Sequence, residues 1–134
     1  MKAAEMITVG VPGWDALSGC SVPDLRDCLD RTRRARAVLD AFDARIAGLL
    51  HESTVRVGTH ERSIPEVELV AHGGMTRREA GDVMRRVLVI EDAPVVGDAL
   101  AAGDLSAGHV DAISRGLKIA GESKEAFLEL VPGL

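Results

Sequence analysis

Aromatic side chains are nearly missing from this chain. Trp14, Phe42 and Phe127 are the whole complement in 134 residues, and there is no tyrosine. A platform for single strands or RNA stacks bases on aromatic rings, so that class of function is disfavoured. Burial must rest instead on Leu, Val, Ile, Ala and Met, which suits packed helices better than a sandwich. Cysteine is equally sparse. Cys20 and Cys28 lack the short spacing of a zinc knuckle, and no nearby Cys or His pair completes one. A reduced intracellular setting with no bound metal is the expectation. The only early apolar run, Met6 to Val11, is interrupted by Thr8 and Gly10. It is too short for a signal peptide or a spanning helix, so the chain is expected to be soluble, cytoplasmic and without a membrane partner.

Catalytic signatures are missing too. There is no Gly-rich phosphate loop, metal cluster or nucleophile elbow, and the expectation is a non-enzyme without cofactor. His51 and His60 have no third ligand placed by spacing. His109 has neither a nucleophile nor a metal partner in view and is expected to pack or hydrogen-bond.

What is present is charge, unevenly distributed. The net charge is −5, which argues against a protein coated in basic residues while allowing a local basic face. Positive residues gather at Arg31 to Arg36 and at Arg77 to Arg86. The first group stands among Asp27, Asp30 and Asp40 at helical spacing and reads as a self-compensating solvated face.

Residues 1–20 read as a Gly- and Pro-containing arm, with Ile7, Val9 and Val11 able to alternate in a short strand and Trp14 as its apolar anchor. Residues 21–134 read as a single helical domain. Ser21 opens a long helix, with Pro23 in its first turn where a missing amide matters little. A seven-residue apolar repeat then runs to about His51. Leu25, Thr32, Leu39 and Ile46 take one seam position, and Cys28, Ala35, Phe42 and Leu49 the other. Two partners compete for that seam: a second copy of the helix in a homodimer, or the remaining helices of the same chain. Its length favours the dimer, which makes Leu25, Cys28, Leu39, Phe42, Ile46 and Leu49 candidate interface residues.

Residues 52–62 read as a polar loop, with a short extended piece at Val55 to Val57. A helix-turn-helix follows over 63–90. Ser63 with Glu66, and Thr76 with Glu79, have capping-box spacing. Gly73-Gly74-Met75 supplies the turn. In the second helix Ala80, Val83, Met84, Val87 and Leu88 form the apolar stripe, leaving Arg77, Arg78, Arg85 and Arg86 on the other faces. A basic helix start offers arginines and free amides to phosphate together. Asp92 is expected to cap a next helix with Val95, Val96, Ala99 and Leu100 inward. Gly103 ends it, and Ser106 caps another with Val110, Ile113 and Leu117 inward. A last amphipathic segment spans Ser123 to Val131.

The runs Met75-Thr76-Arg77-Arg78-Glu79-Ala80 and Ala99-Leu100-Ala101-Ala102-Gly103-Asp104-Leu105-Ser106-Ala107-Gly108-His109-Val110-Asp111-Ala112-Ile113 resemble the 13E12-type repeat proteins of actinobacteria, the family called domain of unknown function 222. More distantly they resemble the helical core of ParB-type partition proteins. The first resemblance implies the N-terminal part of a longer protein that carries an HNH endonuclease domain downstream, and this chain ends before such a domain could begin.

The expectation is therefore an all-α protein, with one long N-terminal helix followed by a helix-turn-helix-containing bundle of short helices. It would bind double-stranded DNA through Thr76, Arg77 and Arg78, with Arg85 and Arg86 neutralising phosphates, and would have no catalytic residues. The alternative is an oligomerisation or protein-docking module built on the heptad helix, with no nucleic-acid role.

Overall fold

The structure is a computed structural model and describes residues 9–57 and 64–120. It is all-α, with no strand among the described residues. Five α-helices follow a short 3₁₀ turn at Trp14–Gly19: α1 (Val22–Val57), α2 (Pro65–Ala71), α3 (Arg77–Asp92), α4 (Pro94–Ala101) and α5 (Ala107–Ala120). The expectations for Ile7, for residues 58–62 of the loop including His60, for Ser63 and for Ser123 to Val131 fall outside the described residues.

The long helix starts as its sequence demands. The Asp24 amide donates to Ser21 Oγ at 3.3 Å, and the Ser21 amide donates back to Asp24 Oδ2 at 3.4 Å. Both orphan donors are thus answered reciprocally. The helix does not stop at His51 but continues through Val57, so the expected loop and extended piece there are helical. Polarity alone does not end a helix, and no Pro or Gly intervenes before Gly58. Its 36 residues span about 54 Å at 1.5 Å per residue.

What α1 turns toward its own chain is small. Ala37, Ala41, Ala44 and Ala47 are the buried residues of α1 among those described, spaced by four, three and three so that they share one face. With methyls alone in the way, the other helices approach closely; a Cβ added at Gly48 would already touch Val87 Cγ1 at 3.7 Å. Ahead of Ala37 no described side chain of α1 is buried.

The large seam residues point elsewhere. Leu39, Phe42, Ile46 and Leu49 are 53%, 46%, 51% and 42% exposed, and at helical spacing they centre on the face opposite the alanines. Of the two partners weighed for the seam, the described part of its own chain leaves these four about half exposed.

Helix α3 is the hub and touches α1, α2, α4 and α5. Its first half packs Ala80, Val83 and Val87 with Leu69, Ala44 and Ala47, and Met75 and Met84 lie against that cluster. Its second half packs Val89 with Ala37, Ala41, Ala93, Val96, Leu100, Val110 and Ile113. Ile90 touches both clusters. This change of neighbours corrects the expected stripe. Leu88 is 61% exposed and Val89 is 4% exposed, because beyond Val87 the burying partners become α4 and α5, and the buried arc moves round the helix. In α4, Val96 and Leu100 are fully buried, whereas Val95, expected inward, is exposed.

Two further expectations change. Asp92 is the last residue of α3, and Ala93 serves as both C-cap of α3 and N-cap of α4. The Ala93 amide still donates to Val89 O at 2.8 Å while the Ala93 carbonyl accepts from Val96. Asp92 is therefore inside a helix and has no extended backbone from which to cap. Trp14 is 89% exposed and anchors nothing; the arm is held by a polar contact, Arg31 Nη1 donating to Gly10 O at 2.9 Å.

Gly103 closes α4 as expected, at φ +80°. Its amide donates to Leu100 O and the Asp104 amide to Ala99 O, the paired bonds of a Schellman end.

Candidate nucleic-acid interface

The helix-turn-helix is built by local chemistry. Pro65 fixes the first turn of α2, where its missing amide would be unpaired anyway. The N-cap is Ile64, whose side chain makes no hydrogen bond. The turn needs both glycines. Gly74 has φ +67°, a region costly for residues with a Cβ. A Cβ on Gly73 would lie 2.5 Å from the Leu69 carbonyl oxygen. The chain can therefore fold back beneath α2 only without side chains at those two positions.

Thr76 then caps α3. The Glu79 amide donates to Thr76 Oγ1 at 3.1 Å. The Thr76 hydroxyl in turn donates to Glu79 Oε1 at 3.0 Å, so the acid answers the hydroxyl. Arg77 and Arg78, the first two residues of the helix, are exposed. Neither makes a hydrogen bond or ion pair among the described residues. They stand at the positive end of the helix dipole, beside amides that point out along the axis.

The other two arginines are differently employed. Arg85 pairs with Asp82 on the next turn and stays largely exposed. Arg86 is 14% exposed and donates through Nε to Asp111 Oδ1 at 2.8 Å and through Nη2 to Asp111 Oδ2 at 2.9 Å. This fork joins α3 to α5 and engages the Arg86 guanidinium inside the fold. Charge composition could flag Arg86 but not Asp111, which is 25 residues away.

Behind the turn, Asp40, Asp43, Glu79 and Asp82 line a cleft together with Arg86. Burial raises the Asp40 carboxyl above its ordinary value; Arg86 opposes this and the Asp43 charge adds to it. Asp43 is raised by burial and opposed by Arg86. The hydrogen bonds that Arg86 donates to Asp111 raise the arginine in turn. Helix α3 thus buries an apolar face with a carboxylate-lined cleft holding Arg86 beside it, and among the described residues only its outer first turn presents unpaired positive charge.

A third cap involves a histidine. The His109 amide donates to Ser106 Oγ at 3.2 Å, and the Ser106 amide donates to His109 Nδ1 at 3.1 Å. The imidazole takes the part that glutamate plays in the usual box, and His109 is therefore a hydrogen-bonding residue of the α5 start. Among the described residues no group of three or more His, Cys, Asp or Glu could hold a metal. None of the described helices is long and apolar enough to cross a membrane.

No protein-family model, curated protein or solved structure matches the chain.

Proposed function

We propose that the chain is a non-catalytic helical module that binds double-stranded DNA through the start of α3. The observation that carries this reading is the pair Arg77 and Arg78, exposed and unpaired on the first turn of a helix capped by Thr76. Two arginines and the free amides of one helix end converge on one point, which is the chemistry that meets a phosphate backbone. The resemblance of the Thr76 and Leu105 segments to the 13E12-type family supports the same reading. It also supports placement upstream of an HNH nuclease domain, with any nuclease activity lying in that domain. The contact set narrows to Thr76, Arg77 and Arg78, with Arg85 at its edge.

The test is duplex affinity, followed by fluorescence anisotropy across salt. Two to four phosphates met by the bound protein give a log–log slope of about −2 to −4, at roughly −0.9 per phosphate. Arg77→Glu with Arg78→Glu is expected to abolish binding at low salt. Equal affinity in that double variant overturns the proposed surface.

A second reading has its own observation. The exposed Leu39, Phe42, Ile46 and Leu49 on α1 suit an oligomerisation or protein-docking face, as large contiguous apolar patches usually do. The two readings are compatible in one protein. The docking reading predicts concentration-dependent association that Phe42→Asp abolishes, with or without DNA.

A further inference from the structure

The outer face of α1 has more structure than an apolar patch, because the charges beside it are directional. Along one flank of the seam run Arg31, Val38, Arg45 and Glu52, and along the other Leu29, Arg36, Asp43 and Leu50. These are the rows that face a partner helix across a heptad seam and set its orientation. In a parallel, in-register pair each flank meets the opposite flank of the other copy. Arg31 then faces Arg36 twice, and no opposite charges meet.

We infer that α1 pairs antiparallel with α1 of a second copy, about a two-fold axis passing between Leu39 and Phe42. This rests on the reading of α1 as an interface and adds its occupant, orientation and register. In that arrangement each flank meets itself. Arg36 lies opposite Asp43 of the second copy, and Arg31 opposite Glu52, each pair occurring twice. The seam alternates in size as well: Leu39 faces Phe42, Ile46 faces Ala35, and Leu49 faces Thr32. The small residues that make the middle of the seam weak in a parallel pair therefore receive the large ones. Sliding by one heptad in either direction is unfavourable. One slide sets Asp43 against Asp43 and Arg45 against Arg45; the other sets Arg36 against Arg36 and Arg31 against Arg45. Like charges directly opposed are destabilising.

Two features of the fold agree. The axis falls near the middle of Val22–Val57, so this register overlaps almost the whole of both helices. The buried alanines lie on the far side of α1 from the seam. Arg31 already bonds Asp27 and the Gly10 carbonyl, so the orientation rests chiefly on Arg36 with Asp43.

The full chain carrying Cys20→Ser and Cys28→Ser provides the background for the test. Sedimentation of the unsubstituted chain and of this background first establishes whether each dimerises; an unsubstituted chain that is monomeric at every concentration removes the interface reading and this geometry together. Given a dimer, Ile46→Cys and Ala35→Cys are oxidised separately and mixed. The expected result is a covalent dimer in the mixture only. Self-linking of Ile46→Cys alone indicates a parallel pair, and no linking in the mixture indicates another register. Either outcome overturns the inference while leaving the interface standing. Independently, Arg36→Asp is expected to weaken the dimer about tenfold, since both opposed pairs turn repulsive, and Arg36→Asp with Asp43→Arg to restore it. Lack of rescue in the double variant counts against the pairing.

Discussion

Removing the Arg86 guanidinium tests whether this arginine belongs to the fold or to a ligand. Arg86→Ala breaks two hydrogen bonds of 2.8 and 2.9 Å to Asp111 and leaves that carboxylate partly buried without a cation. It also strips the only arginine from a cleft lined by Asp40, Asp43, Glu79 and Asp82. Breaking a fully buried pair costs about 3–5 kcal/mol. With the two side chains 14% and 29% exposed, water screens part of the loss, and about 2–3 kcal/mol is expected. That is a large share of the roughly 5–15 kcal/mol that holds such a domain folded. With a urea m-value of about 1.5 kcal/mol/M, the midpoint should fall by about 1.3–2 M. A double-mutant cycle with Asp111→Ala should show a coupling of about 1–2 kcal/mol, because the single losses fall on one interaction. The folded variant should keep the wild-type salt slope for duplex DNA. A cost below about 0.5 kcal/mol with no coupling, the usual behaviour of a solvated arginine, would refute the structural assignment and return Arg86 to the DNA surface.

Three further outcomes follow from the same geometry. Thr76→Ala and Ser106→Ala should each cost about 1 kcal/mol by urea unfolding, the usual loss for a hydroxyl cap; no change in either would show that the helix start is held by packing alone. At Gly81, inside α3, an added Cβ would meet only Arg85 Nη1 at 3.8 Å, so Gly81→Ala should stabilise by about 0.5–1 kcal/mol, whereas Gly73→Ala should destabilise by more than that. Asp40 is held above its ordinary carboxyl value in the fold, so in the window just above that value the native state binds more protons than the unfolded chain. Stability contributed by this group then falls as pH rises, and Asp40→Asn should unfold later than wild type at pH 7, with the difference closing toward pH 4; a lower midpoint for Asp40→Asn at pH 7 would reverse that sign.

Local order was legible in the sequence. Capping, turn chemistry and helix ends depend on residues a few positions apart, so Ser21, Gly73, Gly74, Thr76, Gly103 and Ser106 act where their types and spacing put them. The all-α class followed from the same signals together with the scarcity of aromatics. Only the tertiary structure decided which faces are covered, because burial depends on neighbours distant in sequence. The Leu39–Leu49 seam has the stronger apolar period, yet the core took the alanines, which admit closer backbones. Leu88 and Val89 exchanged roles where α3 passes from α2 to α4 and α5. Arg77 and Arg86 are the same residue type on one helix, and they differ because Asp111 stands across from one and solvent surrounds the other.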